Sequence, residues 1–503
     1  MKEVDYLKKI LNATVYDVAE VTPLDEATSL RTKNGPRLFL KREDLQPIHA
    51  YKIRGAYNKM SQLSREELDK GVICASAGNH AQGVALAANK LGCKATIVMP
   101  VTTPEIKINA VKSYGASIVL FGDSYSDTYE ELHRQIEQHG YIYIAPFDDP
   151  DVIAGQGTVA KEILDQAGRN LTAIYVPIGG GGLAAGVAVY VKSIRPEVKV
   201  WGVEPVDSDC MSRSIAAGKP VTLANPGLFA DGVCVKTPGE ETFRLCQKYL
   251  DGIVRVTTAE TCAAVKDIFE STRAICEPAG ALALAAAKKT ARPGETCVCV
   301  ISGANMNFDR IRFISEETEI GEQREAVFEC RIPEERGSFL KFISKIGKRN
   351  VTEFNYRMSA ADHAHIFVGV GVKSSDERTK LLDIFNRAGF QSIDLTEDAI
   401  AKDHVRYMVG GHAHGLKDEV VYAFEFPERP GALLDFVKAI AARWNISMFH
   451  YRNHGADHGK VLAAFQVPPA ERGDLKKVIE RIGYHYEDVS ENPAYTYFLK
   501  PTD

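Results

Sequence analysis

The stretch Ala173-Ile174-Tyr175-Val176-Pro177-Ile178-Gly179-Gly180-Gly181-Gly182-Leu183 passes from an apolar, β-rich run through four glycines into the apolar helical pattern Ala184 to Ser193. A flexible linker would carry polar flanks; these glycines join a buried-type strand to a buried-type helix. Backbone without side chains at a helix start is a nest of N–H groups, which suits a phosphate. The segment is neither the Gly-x-Gly-x-x-Gly dinucleotide fingerprint nor a Walker loop, because no Gly-Lys-Ser/Thr follows. The phosphate belongs to another kind of molecule.

Outward from this unit, up to about residue 312, β-rich runs alternate with helical patterns. Val72 to Ala75, Ala95 to Met99 and Ser117 to Leu120 form one group; Ala173 to Ile178, Val198 to Val203 and Cys297 to Ile301 form another. Such alternation predicts crossover units and parallel-rich sheets covered on both faces. Two groups predict an α/β unit of two lobes with a cleft between them. A charged stretch, Ser315 to Glu325, reads as a solvated helix or neck. Beyond it the texture changes to a repeat. Pro333 and Pro427, Gly337 and Gly431, and Phe342 and Phe436 are each 94 positions apart, while Phe354-Asn355-Tyr356-Arg357 matches Phe449-His450-Tyr451-Arg452 at 95. This predicts a duplicated module of strand, turn, helix and strand.

Composition limits the function classes. The 503 residues are 45% hydrophobic and 25% charged, with a formal charge of -5, so no general electrostatic case for nucleic acid or anionic membrane arises. At roughly 150 residues per domain, the length predicts about three domains. The ten cysteines include no Cys-x-x-Cys pair; Cys297 and Cys299 share one face of a strand and read as buried thiols, with no metal site. Met1 to Leu11 has no apolar core of a leader, and no run of 18 apolar residues occurs. The expectation is a cytoplasmic protein that binds neither nucleic acid nor membrane.

Four segments carry chemistry. Lys52, flanked by Tyr51 and Ile53, could have its amine buried and its pKa lowered towards nucleophilic competence. Ser76-Ala77-Gly78-Asn79-His80 follows a strand and opens a helix, which suits a carboxylate or is an ordinary capped turn, with His80 more readily a structural histidine than a base. The third segment is the glycine nest, Gly179 to Gly182 with Leu183. Ser302 closes the strand Cys297 to Ile301, where open α/β folds bind ligands, or else caps a turn. Together they suit an amino acid bound as an imine to pyridoxal phosphate.

Tyr51-Lys52-Ile53-Arg54-Gly55-Ala56, Ser76 to His80, the tetraglycine, Cys276-Glu277-Pro278-Ala279-Gly280-Ala281 and Ser302-Gly303-Ala304-Asn305 resemble, in this order, the fold-type II pyridoxal-phosphate enzymes. With two ACT-like modules attached, the chain is similar end to end to the biosynthetic threonine ammonia-lyases. The resemblance implies a two-lobed catalytic domain over 1–312, a neck over 313–325, α+β ACT-like domains over 326–398 and 420–503, and a connector over 399–419. It implies pyridoxal 5'-phosphate carried by Lys52, which later removes the α-proton. Asn79 would bond the cofactor's 3-hydroxyl, Gly179, Gly180, Gly181, Gly182 and Leu183 its phosphate, and Ser302 would face its pyridine nitrogen. Ser76, Ala77, Gly78, Asn79 and His80 would hold the substrate carboxylate. Glu277 resembles a cofactor-side residue without an assigned role. The implied reaction is α,β-elimination of water from L-threonine, giving 2-oxobutanoate and ammonia on the way to isoleucine. Isoleucine would inhibit and valine activate, at the turns carrying Gly337 and Ser338 and Gly431 and Ala432, in a homotetramer. L-serine is a possible substrate. Two positions depart from the family: Ala50 stands where a serine is usual, and Ala279 where Ser-Gly-Ala often follows Glu-Pro. The catalytic motifs would also fit a serine-directed dehydratase or racemase; a noncatalytic amino-acid sensor is the reading from another class.

Overall fold

A computed structural model describes residues 5–101, 103, 105–122, 125–224, 226–227, 229–308, 310–321, 324–357, 363–396, 416–427, 431–441, 443–452, 458–491 and 495. The chain forms two compact units, Met1–Gly321 and Glu322–Asp503.

The first unit holds two sheets. Six strands run in the order Leu24–Glu26, Arg37–Arg42, Thr296–Ile301, Ala173–Pro177, Lys199–Pro205 and Gly252–Val256. All neighbours pair parallel except the first two, where Leu24 opposes Lys41 in an antiparallel edge. The smaller sheet is wholly parallel, in the order Ser117–Leu120, Ala95–Met99, Val72–Ala75 and Ile142–Tyr143. Alternation along Thr296–Ile301 explains how the larger sheet is covered. Cys297, Cys299 and Ile301 pack with the helix Pro278–Thr290, while Val298 and Val300 pack with the helices Pro150–Gln166 and Gly182–Ile194. Both thiols are buried and free, as their same-face spacing predicts.

The charged stretch after residue 312 falls largely within the helix Arg310–Gly321, whose Ile314, Glu317 and Thr318 are buried. It is thus half-embedded, where the charge pattern predicts a solvated one.

The second unit is one antiparallel sheet of eight strands. Their order is Gln391–Asp394, Glu325–Pro333, His363–Gly371, Val351–Arg357, Asn445–Arg452, His458–Gln466, Glu419–Pro427 and His485–Asp488. The halves join through Val351–Arg357 and Asn445–Arg452, with Phe354 opposite Tyr451. One aromatic core spans both halves, including Phe339, Phe354, Phe436 and Phe449. The helices Ser338–Ile346 and Ala432–Ile440 repeat at 94 residues. The offset becomes 95 at the next strand because one residue is added in the connection, where Asn350 corresponds to Asn445. Loops absorb such insertions without moving the elements they join. Gly337 and Gly431 cap the two helices at φ 93° and 89°, a left-handed conformation that explains glycine at both turns. Residues 428–430 of the second turn and most of the expected connector, 399–415, lie outside the described residues.

Candidate active site

The site lies in the first unit, where three of the sequence segments converge on Lys52. The loop after Thr296–Ile301 pairs with the residues that precede the lysine: the Tyr51 N–H donates to the Ser302 carbonyl at 3.2 Å and the Ala304 N–H to the His49 carbonyl at 2.9 Å. Ser302 is buried, 3% exposed. Gly83 lets the helix Asn79–Leu91 approach from the other side; a Cβ there would stand 3.3 Å from the Lys52 carbonyl. Lys52 opens the helix Lys52–Met60, and its Nζ donates to the Pro146 carbonyl at 2.7 Å. Burial lowers the amine to about 8, against the opposing pull of the Glu277 charge.

The next residue, Phe147, forms the wall behind the glycines. A Cβ at Gly180 would stand 2.2 Å from the Phe147 ring, and one at Gly182 3.0 Å from the Phe147 carbonyl. Gly181 has φ 98°. The glycine carbonyls are taken from behind: Thr242 Oγ1 donates to Gly180 at 2.6 Å, Cys246 Sγ to Gly181 at 3.9 Å, and Cys210 Sγ to Gly179 at 4.0 Å. Carbonyls engaged on that side leave the N–H groups of the loop and of the first helical turn for an anion. Asp148 secures this backing by accepting from the N–H groups of Glu240, Glu241 and Thr242 at 3.0, 3.1 and 3.0 Å.

Ser76 Oγ accepts from the Gly78 N–H at 3.2 Å, and the helix that Asn79 begins has no side-chain cap. Its first N–H groups are therefore available to a carboxylate. His80 is buried and bonds the Ile144 carbonyl through Nε2 at 2.9 Å. Because a carbonyl only accepts, Nε2 carries the proton. Burial, helped by the Lys52 charge, lowers this imidazole to about 3, so it is neutral at working pH. Asn79 Nδ2 donates to Glu277 Oε1 at 2.8 Å, and Asn305 Nδ2 donates to Asn79 Oδ1 at 2.8 Å.

An amine of lowered pKa, a glycine loop suited to a dianion, an amide and a hydroxyl fit pyridoxal phosphate by donor chemistry. Sequence reasoning missed Pro146, Phe147, Asp148 and Thr242, and left Glu277 and Asn305 without roles. Glu277 and Asn305 stood inside quoted motifs; Thr242 had no local signal.

In the second unit, Gly337 and Ser338 line a pocket with Glu334, Tyr356, Trp444 and Asn445. Gly431 and Ala432 line another with Arg349, Asn350, Phe426 and Tyr451. Each pocket thus combines the turn of one module with the end of the other's helix. No cluster of metal-ligating side chains occurs among the described residues, and no described helix is long and apolar enough to cross a membrane.

Known proteins resemble this chain over nearly all of its length. The family described as pyridoxal-phosphate dependent enzyme matches residues 15–303. The C-terminal regulatory domain of threonine dehydratase matches twice, at 316–405 and 410–499. The biosynthetic L-threonine dehydratase IlvA of Burkholderia multivorans is 54% identical over 502 residues, covering 98% of this chain and 99% of that one. The solved processed form of threonine deaminase isoform 2 from Solanum lycopersicum aligns with a TM-score of 0.61 at 47% identity, over 63% of this chain and 88% of that one. Maize serine racemase aligns at 0.58 and 33%, over 62% of this chain and 96% of that one. Both solved structures match only the first unit's share of the chain, whereas the dehydratase sequence runs end to end. The chain belongs to the biosynthetic threonine dehydratase family, a pyridoxal-phosphate dependent enzyme followed by two copies of the threonine dehydratase regulatory domain.

Proposed function

We propose that the protein converts L-threonine to 2-oxobutanoate and ammonia, the committed step towards isoleucine, and that its second unit subjects this step to feedback. The observation that carries the catalytic reading is that Lys52 and the glycine nest abut one segment, Pro146-Phe147, so an amine and a phosphate cradle share one wall.

Lys52 Nζ would hold the cofactor and would accept the proton from the substrate's Cα. Bound there, the cofactor supplies an electron sink for the pair left by that proton. Gly179, Gly180, Gly181, Gly182 and Leu183 would hold the phosphate by backbone N–H groups, and Asn79 would bond the ring hydroxyl. Ser302 would offer the ring nitrogen a neutral hydroxyl, which would leave the sink weaker and favour prompt loss of the β-hydroxyl. Ser76, Ala77, Gly78, Asn79 and His80 would hold the substrate carboxylate; the Ser76 N–H is taken by the Val98 carbonyl at 3.1 Å and the Gly78 N–H by Ser76 Oγ, so the donors offered are the N–H groups of Ala77, Asn79 and His80, and a neutral His80 adds no charge. Cα–H and Cβ–O break, water leaves, and hydrolysis of the released enamine returns one water, so the reaction has no net redox change.

The two pockets of the second unit support effector binding near Gly337 and Ser338 and near Gly431 and Ala432. Isoleucine is the inhibitor in this reading and valine an activator. Residues 1–312 form the catalytic domain, 313–325 the neck, and 326–398 and 420–503 the regulatory domains. A cytoplasmic homotetramer completes the proposal.

Replacing Lys52 tests it. Lys52→Ala is expected to lose the visible absorption of covalently held cofactor and more than about a thousandfold of L-threonine turnover. Turnover retained in that variant would refute the assignment.

A further inference from the structure

We propose that Glu277 and Asn305 are positioning residues for the cofactor: together they fix the Asn79 amide so that one of its N–H bonds is left for the cofactor's ring oxygen. The proposal rests on the reading of Asn79 as a cofactor contact.

The orientation follows from a chain of hydrogen bonds with one fixed end. Asn305 Nδ2 donates to the Ile48 carbonyl at 2.7 Å. A backbone carbonyl has no proton to give, so the NH2 end of Asn305 must face it. The second Asn305 N–H donates to Asn79 at 2.8 Å, and the atom receiving it must be the Asn79 oxygen. That turns the Asn79 nitrogen towards Glu277, where Oε1 accepts at 2.8 Å. Every link has a donor facing an acceptor; flipping Asn305 would set acceptor against acceptor at both of its contacts, and flipping Asn79 would set its NH2 against that of Asn305. Nδ2 has two N–H bonds, and the bond to Glu277 uses one.

The frame is rigid. Glu277 is buried, 3% exposed, and stands at the N-cap of the helix Pro278–Thr290, where its N–H donates to the Gly303 carbonyl at 3.1 Å. A Cβ at Gly303 would stand 2.7 Å from Glu277 Oε1 and 3.2 Å from Asn79 Nδ2, so a side chain at 303 would force this pair apart. Burial, reinforced by the Asp231 charge, raises the Glu277 carboxyl to about 8. Either protonation state keeps an acceptor oxygen, so the positioning role does not depend on titration.

The test uses the holoenzyme and the variants N79A, E277Q, E277L and N305A, read by the visible band of the bound cofactor and by cofactor retained on dialysis. N79A sets the scale, with an expected loss of about tenfold in affinity. E277Q keeps an acceptor for Asn79 and is expected to stay within about twofold of the parent. E277L and N305A are expected to approach N79A in both readouts, and the double variant E277L/N79A to lose no more than N79A alone. A merely structural role would lower the melting temperature without moving the band. Parental band and retention in E277L, or full additivity with N79A, would overturn the proposal. Should E277L not fold, N305A decides in the same way, because it releases the opposite end of the amide and leaves the carboxyl in place. An N79A protein indistinguishable from the parent would overturn the reading of Asn79 itself, and this proposal with it.

Discussion

Lys52 starts from an ordinary lysine pKa of about 10.4, and enclosure lowers it to about 8. The neutral amine is the form that attacks an aldehyde, and its fraction grows as pH rises through the shifted value. In cofactor-free protein, the rate of cofactor uptake should therefore rise between pH 6 and 9, with half its change near pH 8, as followed by stopped-flow absorption. A rate flat over this range would contradict an amine lowered by burial. The apolar neighbours Tyr51 and Ile53 are a weak signal for the lysine alone; the order of the motifs around it singles it out. Glu277 was not legible in the same way: its partner Asn79 lies 198 positions away, and Asn79 lies 226 from Asn305. Contacts at such separations leave no spacing pattern, so only the folded chain shows that three side chains form one frame.

The glycine loop between Ala173–Pro177 and Gly182–Ile194 shows how an element's role depends on what stands behind it. At Gly181 a methyl group would meet Met211 Cε at 2.7 Å and Thr242 Oγ1 at 3.0 Å, on a backbone with φ 98°. Gly181→Ala should weaken cofactor binding by about tenfold or more in equilibrium titration of the cofactor-free protein. Gly78, by contrast, has nothing within 4 Å of its added Cβ. Gly78→Ala should melt within about 2 °C of the parent. Equal cofactor affinity in the parent and the Gly181→Ala protein would contradict the nest. The parallel strands and the same-face cysteines could be read from β-rich runs bounded by helical patterns. The antiparallel edge Leu24–Glu26 could not: its three residues include no β-branched or aromatic side chain, and pairing with Arg37–Arg42 makes it a strand. Thr242 was hidden for a similar reason, since it reaches the loop from 62 positions away.

For the whole molecule, a formal charge of -5 is compatible with an anionic cofactor, because the proposed nest of N–H groups at a helix start would recognise it locally and without a basic surface. The repeat was legible because Pro333 and Pro427, with Gly337 and Gly431, keep one spacing. The joining of its halves into one sheet was not, since the pairing of Phe354 with Tyr451 is a tertiary choice. Two compact units, one carrying the proposed active site and one with paired pockets, predict a reaction whose rate depends on a ligand unlike the substrate. Such regulation is a coupling free energy between sites, typically about 1–3 kcal/mol, or roughly 5- to 150-fold in affinity. The direct measurement is 2-oxobutanoate formation by the intact protein over a range of L-threonine, with and without isoleucine. Steady product formation from L-threonine is expected, with a severalfold higher half-saturating concentration when isoleucine is present. No 2-oxobutanoate from L-threonine, or a rate curve indifferent to isoleucine, would contradict the proposed function.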